Sequence, residues 1–243
     1  MYHDGAGCKI SECGCRKKGK EFRGEGKAPY DIPNSQPNSF GSISETTDWL
    51  VRLSIVTIIL TAISLAFITY KTISVPSAVP LADFQGVIDS LSGLITFAAF
   101  IIKLLWYYRA TQNVLWFGAK DVVSPIMAAI WWLIPIFFFW KPYHVTQQIW
   151  KTSNPELNMT DGTEWTKTSS SKLIMQWWTL ELVSIAGIVL GLIIGHTINL
   201  PFLQNLTTVP FEVVNIFSII LFIRIIRQIS SWQELKSNSL KTT

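Results

Sequence analysis

The sequence predicts an all-α integral membrane protein with about four transmembrane helices plus a proline-broken re-entrant or short fifth membrane segment. The chain of 243 residues is 49% apolar and only 15% charged, whereas soluble domains average about 25% charged residues. Five apolar segments follow a polar N-terminal region, and one of them, residues 173–196, is an almost unbroken apolar run of bilayer length. Because lipid solvates no free backbone group, such spans form helices.

The first 48 residues predict a disordered polar cytoplasmic tail, because they are rich in Gly, Pro, Ser and charged residues. Cys8, Cys13 and Cys15 lie in this tail with His3 nearby. One interpretation is a zinc site formed by the three thiolates and the imidazole. The other interpretation is that the cysteines are free thiols in a tail on the reducing side of the membrane. The spacing is not that of a standard zinc finger, and the odd number of cysteines argues against a closed set of disulfides. No other cofactor is predicted.

The apolar segments place a multi-pass membrane domain over residues 49–230 and a short cytoplasmic C-terminal tail over residues 231–243. Each intact segment of about 20 residues is long enough to cross roughly 30 Å of hydrocarbon. The second segment is expected to continue as a helix toward Trp116. The approximate bounds of the five segments are 49–70, 90–108, 122–140, 173–196 and 210–229.

The third segment decides the topology, because prolines interrupt it. Ser124 and Pro125 form a good helix start, with Ser as the cap and Pro in the first turn. Pro135 follows about ten residues later, which is too soon for a full crossing, and it breaks the helical hydrogen-bond ladder. Pro142 can begin the next helix. These features favour a segment that enters the membrane and returns to the same side, and a proline-kinked complete span is the alternative.

The distribution of basic residues favours the re-entrant arrangement. If the third segment returns to its own side, 19 of the 20 Lys and Arg residues lie on one face of the membrane and only Lys71 on the other. Five complete crossings would divide the same residues 11 to 9. Because basic residues concentrate on the cytoplasmic side, both termini are expected to be cytoplasmic.

Intramembrane charges are the candidate functional groups. Lys103 in the second segment and Glu181 in the fourth lie at similar depths, so we expect them to form an ion pair, with Arg109 as an alternative partner nearer the headgroups. Such a pair is either a relay for protons or ions or a structural contact that fixes helix register. Lys103 reaching back to the headgroups is a further structural alternative.

A ladder of small residues on the fourth segment predicts close helix packing. Gly187, Gly191 and Gly195 recur every four residues, and Ser184 extends nearly the same face. Small residues let two helix backbones approach each other within a membrane. The partner helix is either in the same chain, which we favour, or in a second copy.

Residues 106–150 carry an ordered set of aromatic, proline and polar residues. The set consists of Trp106, Arg109, Asn113, Ser124, Pro125, Trp131, Trp132, Pro135, Trp140, Pro142, Tyr143 and Trp150. With Trp177 and Trp178, it resembles the bacterial membrane family called domain of unknown function 4328, over roughly residues 85–230. The resemblance implies a multi-pass protein of the bacterial cytoplasmic membrane and implies no activity. Phe138 and Gln148 depart from the family pattern, where Asn and an acidic residue are common.

The sequence favours a non-enzymatic role. No metalloprotease, nucleophile-elbow, P-loop or paired-carboxylate motif occurs, and the basic residues form no contiguous face for a nucleic acid. We expect a membrane protein that binds a lipid, another membrane protein or a second copy of itself. Arg224, Arg227, Lys236 and Lys241 near the last segment are candidates for lipid headgroup contact, and ordinary anchoring at the membrane interface is the alternative that we favour. The alternative is a small transporter or channel component that uses Lys103, Arg109 and Glu181.

Overall fold

The computed structural model describes residues 39–73, 80–198 and 201–241, and within these ranges every regular element is a helix. The tail cysteines and His3, with the zinc and disorder predictions that concern them, lie outside the described residues. The elements in chain order are α1 (Ser44–Ile73), α2 (Pro80–Trp116), α3 (Pro125–Ile130), α4 (Pro135–Phe138), α5 (Lys141–Ser153), a 3₁₀ turn (Glu164–Lys167), α6 (Lys172–Ile198) and α7 (Pro201–Lys241).

Four of these helices, α1, α2, α6 and α7, are long and apolar enough to cross a membrane, which confirms the predicted number of spans. They pack in the order α2, α1, α7 and α6, with α6 and α7 forming the most extensive pair. The edge helices α2 and α6 make little direct contact with each other. We call the end of the bundle that holds residues 117–171 the hairpin end and the opposite end the loop end.

The third apolar segment forms a hairpin, residues 122–140, and not a span. Helix α3 has six residues and α4 has four, so at about 1.5 Å per residue neither approaches the thickness of a bilayer. The Ser124 hydroxyl accepts a hydrogen bond from the Met127 amide, and Pro125 and Pro135 each begin a helix. The predicted re-entrant or short segment is therefore confirmed. Its outer side chains are exposed and apolar, namely Ile126, Leu133, Ile136, Phe139 and Trp140.

The helices extend beyond the predicted apolar segments. Helix α1 begins at Ser44, and α7 continues to Lys241 through the residues expected to form a short tail. The physical reason lies in polar packing at the hairpin end. The ammonium of Lys236 is buried and donates to the carbonyls of Thr152, Asn154 and Leu157 at 2.8, 3.3 and 2.9 Å. Lys236 is therefore committed to the end of α5 and does not face lipid headgroups.

A buried amide network ties the chain together at the hairpin end. The Asn113 side chain donates to the Gly41 carbonyl and to Gln233 Oε1, both at 2.8 Å, and accepts from the Gly41 amide at 3.2 Å. Gln233 in turn donates to the Ala110 carbonyl and to Ser153 Oγ at 3.1 and 3.0 Å. These bonds join α2, α5, α7 and the segment before α1, and they satisfy the amide groups of both the Asn113 and the Gln233 side chains.

The small residues of α6 pack against α7 within the same chain. A Cβ atom added at Gly187 would lie 1.9 Å from Cγ of the Phe211 ring, so only glycine fits there. Ser184 is 2% exposed, and Gly191 is also buried. The surroundings of Gly195 lie outside the described side chains. The structure thus places the described part of the ladder at an intramolecular contact.

We expect Gly187→Ala to lower the melting temperature of the detergent-purified protein, because the new methyl group would overlap the Phe211 ring. Gly93→Ala on α2 is the matched control, since a Cβ there meets nothing within 4 Å and alanine favours a helix over glycine by about 1 kcal/mol. Replacing Phe211 by leucine in the Gly187→Ala background should restore part of the loss. Equal melting temperatures for the two glycine variants would contradict the close contact.

Reporter fusions test the hairpin topology. Fusions after Trp116, after Lys167 and at the C-terminus should all report one face of the membrane, because the hairpin returns to its own side. A fusion in the connection between α1 and α2 should report the opposite face. Opposite results for Trp116 and Lys167 would mean that residues 122–140 cross completely.

Candidate functional site

An ion pair inside the bundle joins the two edge helices. Lys103 Nζ on α2 lies 3.9 Å from Glu181 Oε1 on α6, and each side chain is 18% exposed. The other carboxylate oxygen of Glu181 accepts a hydrogen bond from Ser218 Oγ on α7 at 2.5 Å. Each of these largely buried charges is stabilised by the other, because an unpaired charge in a low dielectric is costly.

Aromatic rings complete the surroundings of the Lys103 ammonium. Its Nζ lies 4.5 Å from the ring centroid of Trp132 in the hairpin and 4.7 Å from that of Phe222 on α7. A cation over an aromatic face is stabilised by about 2 kcal/mol when it is removed from water. One ammonium therefore contacts α6, α7 and the hairpin from its position on α2.

A cavity of about 440 Å³ extends from this ion pair toward the loop end. Its floor, at the hairpin end, is aromatic and is formed by Trp132, Phe138, Trp177 and Phe222. Its walls carry hydroxyl, amide and carboxyl groups from α1, α2 and α7, namely Ser54, Thr57, Thr61, Ser92, Thr96, Glu212 and Asn215. The cavity thus combines a polar wall with two charged groups at its base, inside helices that are otherwise apolar.

A second cavity of about 330 Å³ lies on the loop side of the first and shares Thr61, Ser92 and Glu212 with it. Asp89 lies in its wall, where it accepts a hydrogen bond from Ser64 Oγ at 3.0 Å. Because the two cavities have residues in common, they adjoin, and polar groups occur in their walls from Asp89 to Lys103 among apolar side chains.

Sequence reasoning missed Asp89, Glu212 and the wall hydroxyls. Asp89 fell one residue outside the predicted second segment, and Glu212 was overlooked in the fifth. The available indication was spacing: on α2, Asp89, Ser92, Thr96 and Lys103 recur at intervals of three, four and seven residues and so share one helix face. On α1, Ser54, Thr57, Thr61 and Ser64 recur in the same way.

Arg109 does not pair with Glu181, contrary to the alternative partner assignment. Its guanidinium donates to Thr46 Oγ1 at 3.0 Å. Trp106, one turn earlier, donates its indole N–H to Thr47 Oγ1 at 2.9 Å. With Asn113, these residues form a polar face of α2 that holds the start of α1, and Arg109 is not among the residues that line the cavity.

The remaining motif residues build and support the hairpin. Trp178 donates its indole N–H to the Phe139 carbonyl at 3.0 Å, and Trp131 lies under Lys141, whose ammonium is 5.1 Å from its centroid. Three of the others pack through their rings: Trp140 on Phe137, Tyr143 on His144 and Trp150 on Trp232. Pro142 lies in the first turn of α5.

The two residues that depart from the family pattern have packing roles. Phe138 packs against Trp178, with ring centroids 5.7 Å apart, and forms part of the cavity floor. Gln148 accepts a hydrogen bond from the Val123 amide at 3.4 Å through its side-chain oxygen. Within the described ranges, no three His, Cys, Asp or Glu side chains lie together as a metal site would require.

Comparison with known proteins identifies the family of this chain. No curated protein and no solved structure matches the chain. The family model for domain of unknown function 4328 matches residues 76–231, which include α2, the hairpin, α5, α6 and α7 up to residue 231. The chain is therefore a member of the domain of unknown function 4328 family, as its tryptophan and proline pattern predicted.

Proposed function

We propose that this protein is a non-enzymatic multi-pass protein of the bacterial cytoplasmic membrane that binds a membrane lipid in the cavity between α2 and α6. One observation carries the proposal: a cavity with apolar and polar wall groups, and with charged groups at its base, lies between two edge helices that make little direct contact. A lipid in the surrounding bilayer would reach that cavity sideways. Its headgroup and ester oxygens would accept hydrogen bonds from wall hydroxyls and from the Lys103 ammonium.

The outer surface of the bundle supports a bilayer setting for this site. Large apolar side chains are exposed along α2 and α6, among them Leu94, Phe97, Val189 and Leu192. In water such a surface would be unfavourable, whereas lipid tails solvate it. Because basic residues concentrate on the cytoplasmic side of membrane proteins, the basic hairpin end, with both chain termini, would face the cytoplasm.

A second candidate function is a small transporter or channel component. The charged groups that line the two adjoining cavities, from Asp89 to the Lys103–Glu181 pair, favour it, because intramembrane charges commonly mark ion or proton pathways. Arg109, which the sequence grouped with these residues, lies outside the cavity lining and takes no part in this candidate.

Filling the cavity tests the lipid proposal. Ala99 lines the cavity on α2, whereas its neighbour Ala98 is exposed. We expect Ala99→Phe to reduce the lipid retained by the purified protein roughly tenfold, which corresponds to about 1.4 kcal/mol of lost affinity. The measurement is native mass spectrometry after solubilisation from bacterial membranes.

Ala98→Phe is the matched control and should retain lipid like the unmodified chain. Equal retention by both variants would contradict a lipid site in the cavity. A measured mass of twice that of the monomer, without bound lipid, would instead indicate that a second copy covers the edge between α2 and α6.

A double-mutant cycle separates a structural role of the ion pair from a functional one. Lys103→Met and Glu181→Gln should each lower the melting temperature by roughly 6–12 °C, because each leaves one charge unpaired at a cost of about 3 kcal/mol. The double variant should recover part of that loss. Arg224→Met, at an exposed position of α7, is the control for loss of a basic residue.

Strictly additive losses would show that Lys103 and Glu181 do not interact. A double variant that is stable but has lost lipid retention or transport would show that the pair acts on the ligand. A double variant that is stable and fully active would restrict the pair to fixing helix register.

A further inference from the structure

The two cavities adjoin in the loop-side part of the bundle, and we call them together the path. They share Thr61, Ser92 and Glu212, so Glu212 lies at their junction. Along α2, Asp89 and Lys103 are 14 residues apart, which corresponds to about 21 Å of helix. That distance is a large part of the roughly 30 Å hydrocarbon thickness.

Titratable groups occur in sequence along this path. Asp89 lies toward the loop end, Glu212 at the junction and Glu181 at the base. Ser218, which donates to Glu181, lies six positions after Glu212 on α7. That difference corresponds to about 9 Å along the helix. Hydroxyl groups line the intervening walls, and each hydroxyl can both donate and accept a hydrogen bond. Carboxylates spaced along a cavity whose walls carry hydroxyl groups are the residue types that a proton path requires.

Few charged groups oppose these carboxylates among the described side chains. Glu212 has Asp89 and the Asn215 amide as its neighbours. Glu181 has Lys103, the Ser218 hydroxyl and, nearby, the Tyr107 phenol. The cavity walls contributed by α1 carry hydroxyl groups and no charge, and the hairpin contributes aromatic rings. Lys103 is therefore the one described basic group in the lining of the two cavities.

The path is closed at the hairpin end by aromatic rings. Lys103 lies at the closure, between the faces of Trp132 and Phe222. On the far side, one turn along α2, the Tyr107 hydroxyl is hydrogen-bonded to Thr146 Oγ1 at 2.7 Å, and the Tyr107 ring packs on Trp132. Trp132 thus separates the polar path from the next buried hydroxyl pair.

We propose that the path conducts protons between the loop end and the Lys103–Glu181 pair, and that the hairpin is its gate. A proton from water at the loop end binds Asp89 or Glu212 and moves through the wall hydroxyls to the Glu181 carboxylate. Glu181 then becomes a neutral carboxylic acid, and Lys103 keeps its own proton. The ammonium loses its counter-charge and is held only by Trp132 and Phe222. The hairpin that carries Trp132 can then move and open the far side toward Tyr107. Glu181 releases its proton there to water at the hairpin end, and the regenerated carboxylate pairs with Lys103 again.

This inference rests on the transport candidate and names its substrate as the proton. The test uses the full chain in liposomes that contain a pH-sensitive dye, with a potassium gradient and valinomycin to impose a membrane potential. We expect faster proton uptake than in protein-free liposomes. Glu212→Gln should slow uptake about a hundredfold, the low end for loss of a proton-transfer group, and Glu212→Asp should keep most of it.

Glu156→Gln is the matched control, because Glu156 is exposed and lies outside the bundle helices. Thr61→Val, which preserves shape and removes a hydroxyl at the junction, provides a second variant should Glu212→Gln fail to fold. Uptake no faster than in protein-free liposomes, or full uptake by Glu212→Gln and Thr61→Val, would overturn the inference. Lipid retention by the Ala99 and Ala98 variants is measured separately, so the lipid proposal stands or falls independently of this result.

Discussion

The Lys103 ammonium is the contact on which the rest of the site depends. Its three neighbours are the Glu181 carboxylate on α6, the Trp132 ring in the hairpin and the Phe222 ring on α7. Since α2 and α6 make little direct contact, this charged group bridges the open side of the bundle. Burying it is costly, and the carboxylate with two aromatic faces offsets that cost.

Two kinds of packing surround that contact at different levels of the bundle. At the hairpin end, a buried amide and ammonium network built on Asn113, Gln233 and Lys236 joins α2, α5 and α7. Toward the loop end, Gly187 brings α6 against Phe211 of α7. Hydrogen bonds therefore join α2, α5 and α7 at the hairpin end, whereas α2 and α6 leave a cavity between them. A ligand site requires this combination of helices joined at one end and an unfilled interior.

Ring packing covers the backbone of the short, proline-broken third segment. Trp132 and Phe138 pack on Trp178, and the Trp178 indole caps the Phe139 carbonyl at the end of α4. Non-helical backbone inside a membrane must be covered by protein, and these rings supply the cover. The indole N–H of Trp132 is buried without a hydrogen-bond partner, which is consistent with a ring held by its faces rather than by its polar edge.

The sequence by itself determined the helix class, the four spans, the short third segment and the family, because apolar length, proline position and an ordered motif are local properties. It also indicated Lys103 and Glu181, since charges inside apolar runs are visible without a structure. Only the tertiary structure decided that Arg109 bonds to Thr46, that the last helix continues to Lys241, and that Asp89 and Glu212 face one cavity system. Those outcomes depend on which helix faces meet, and single-helix periodicity does not specify the neighbour across a gap.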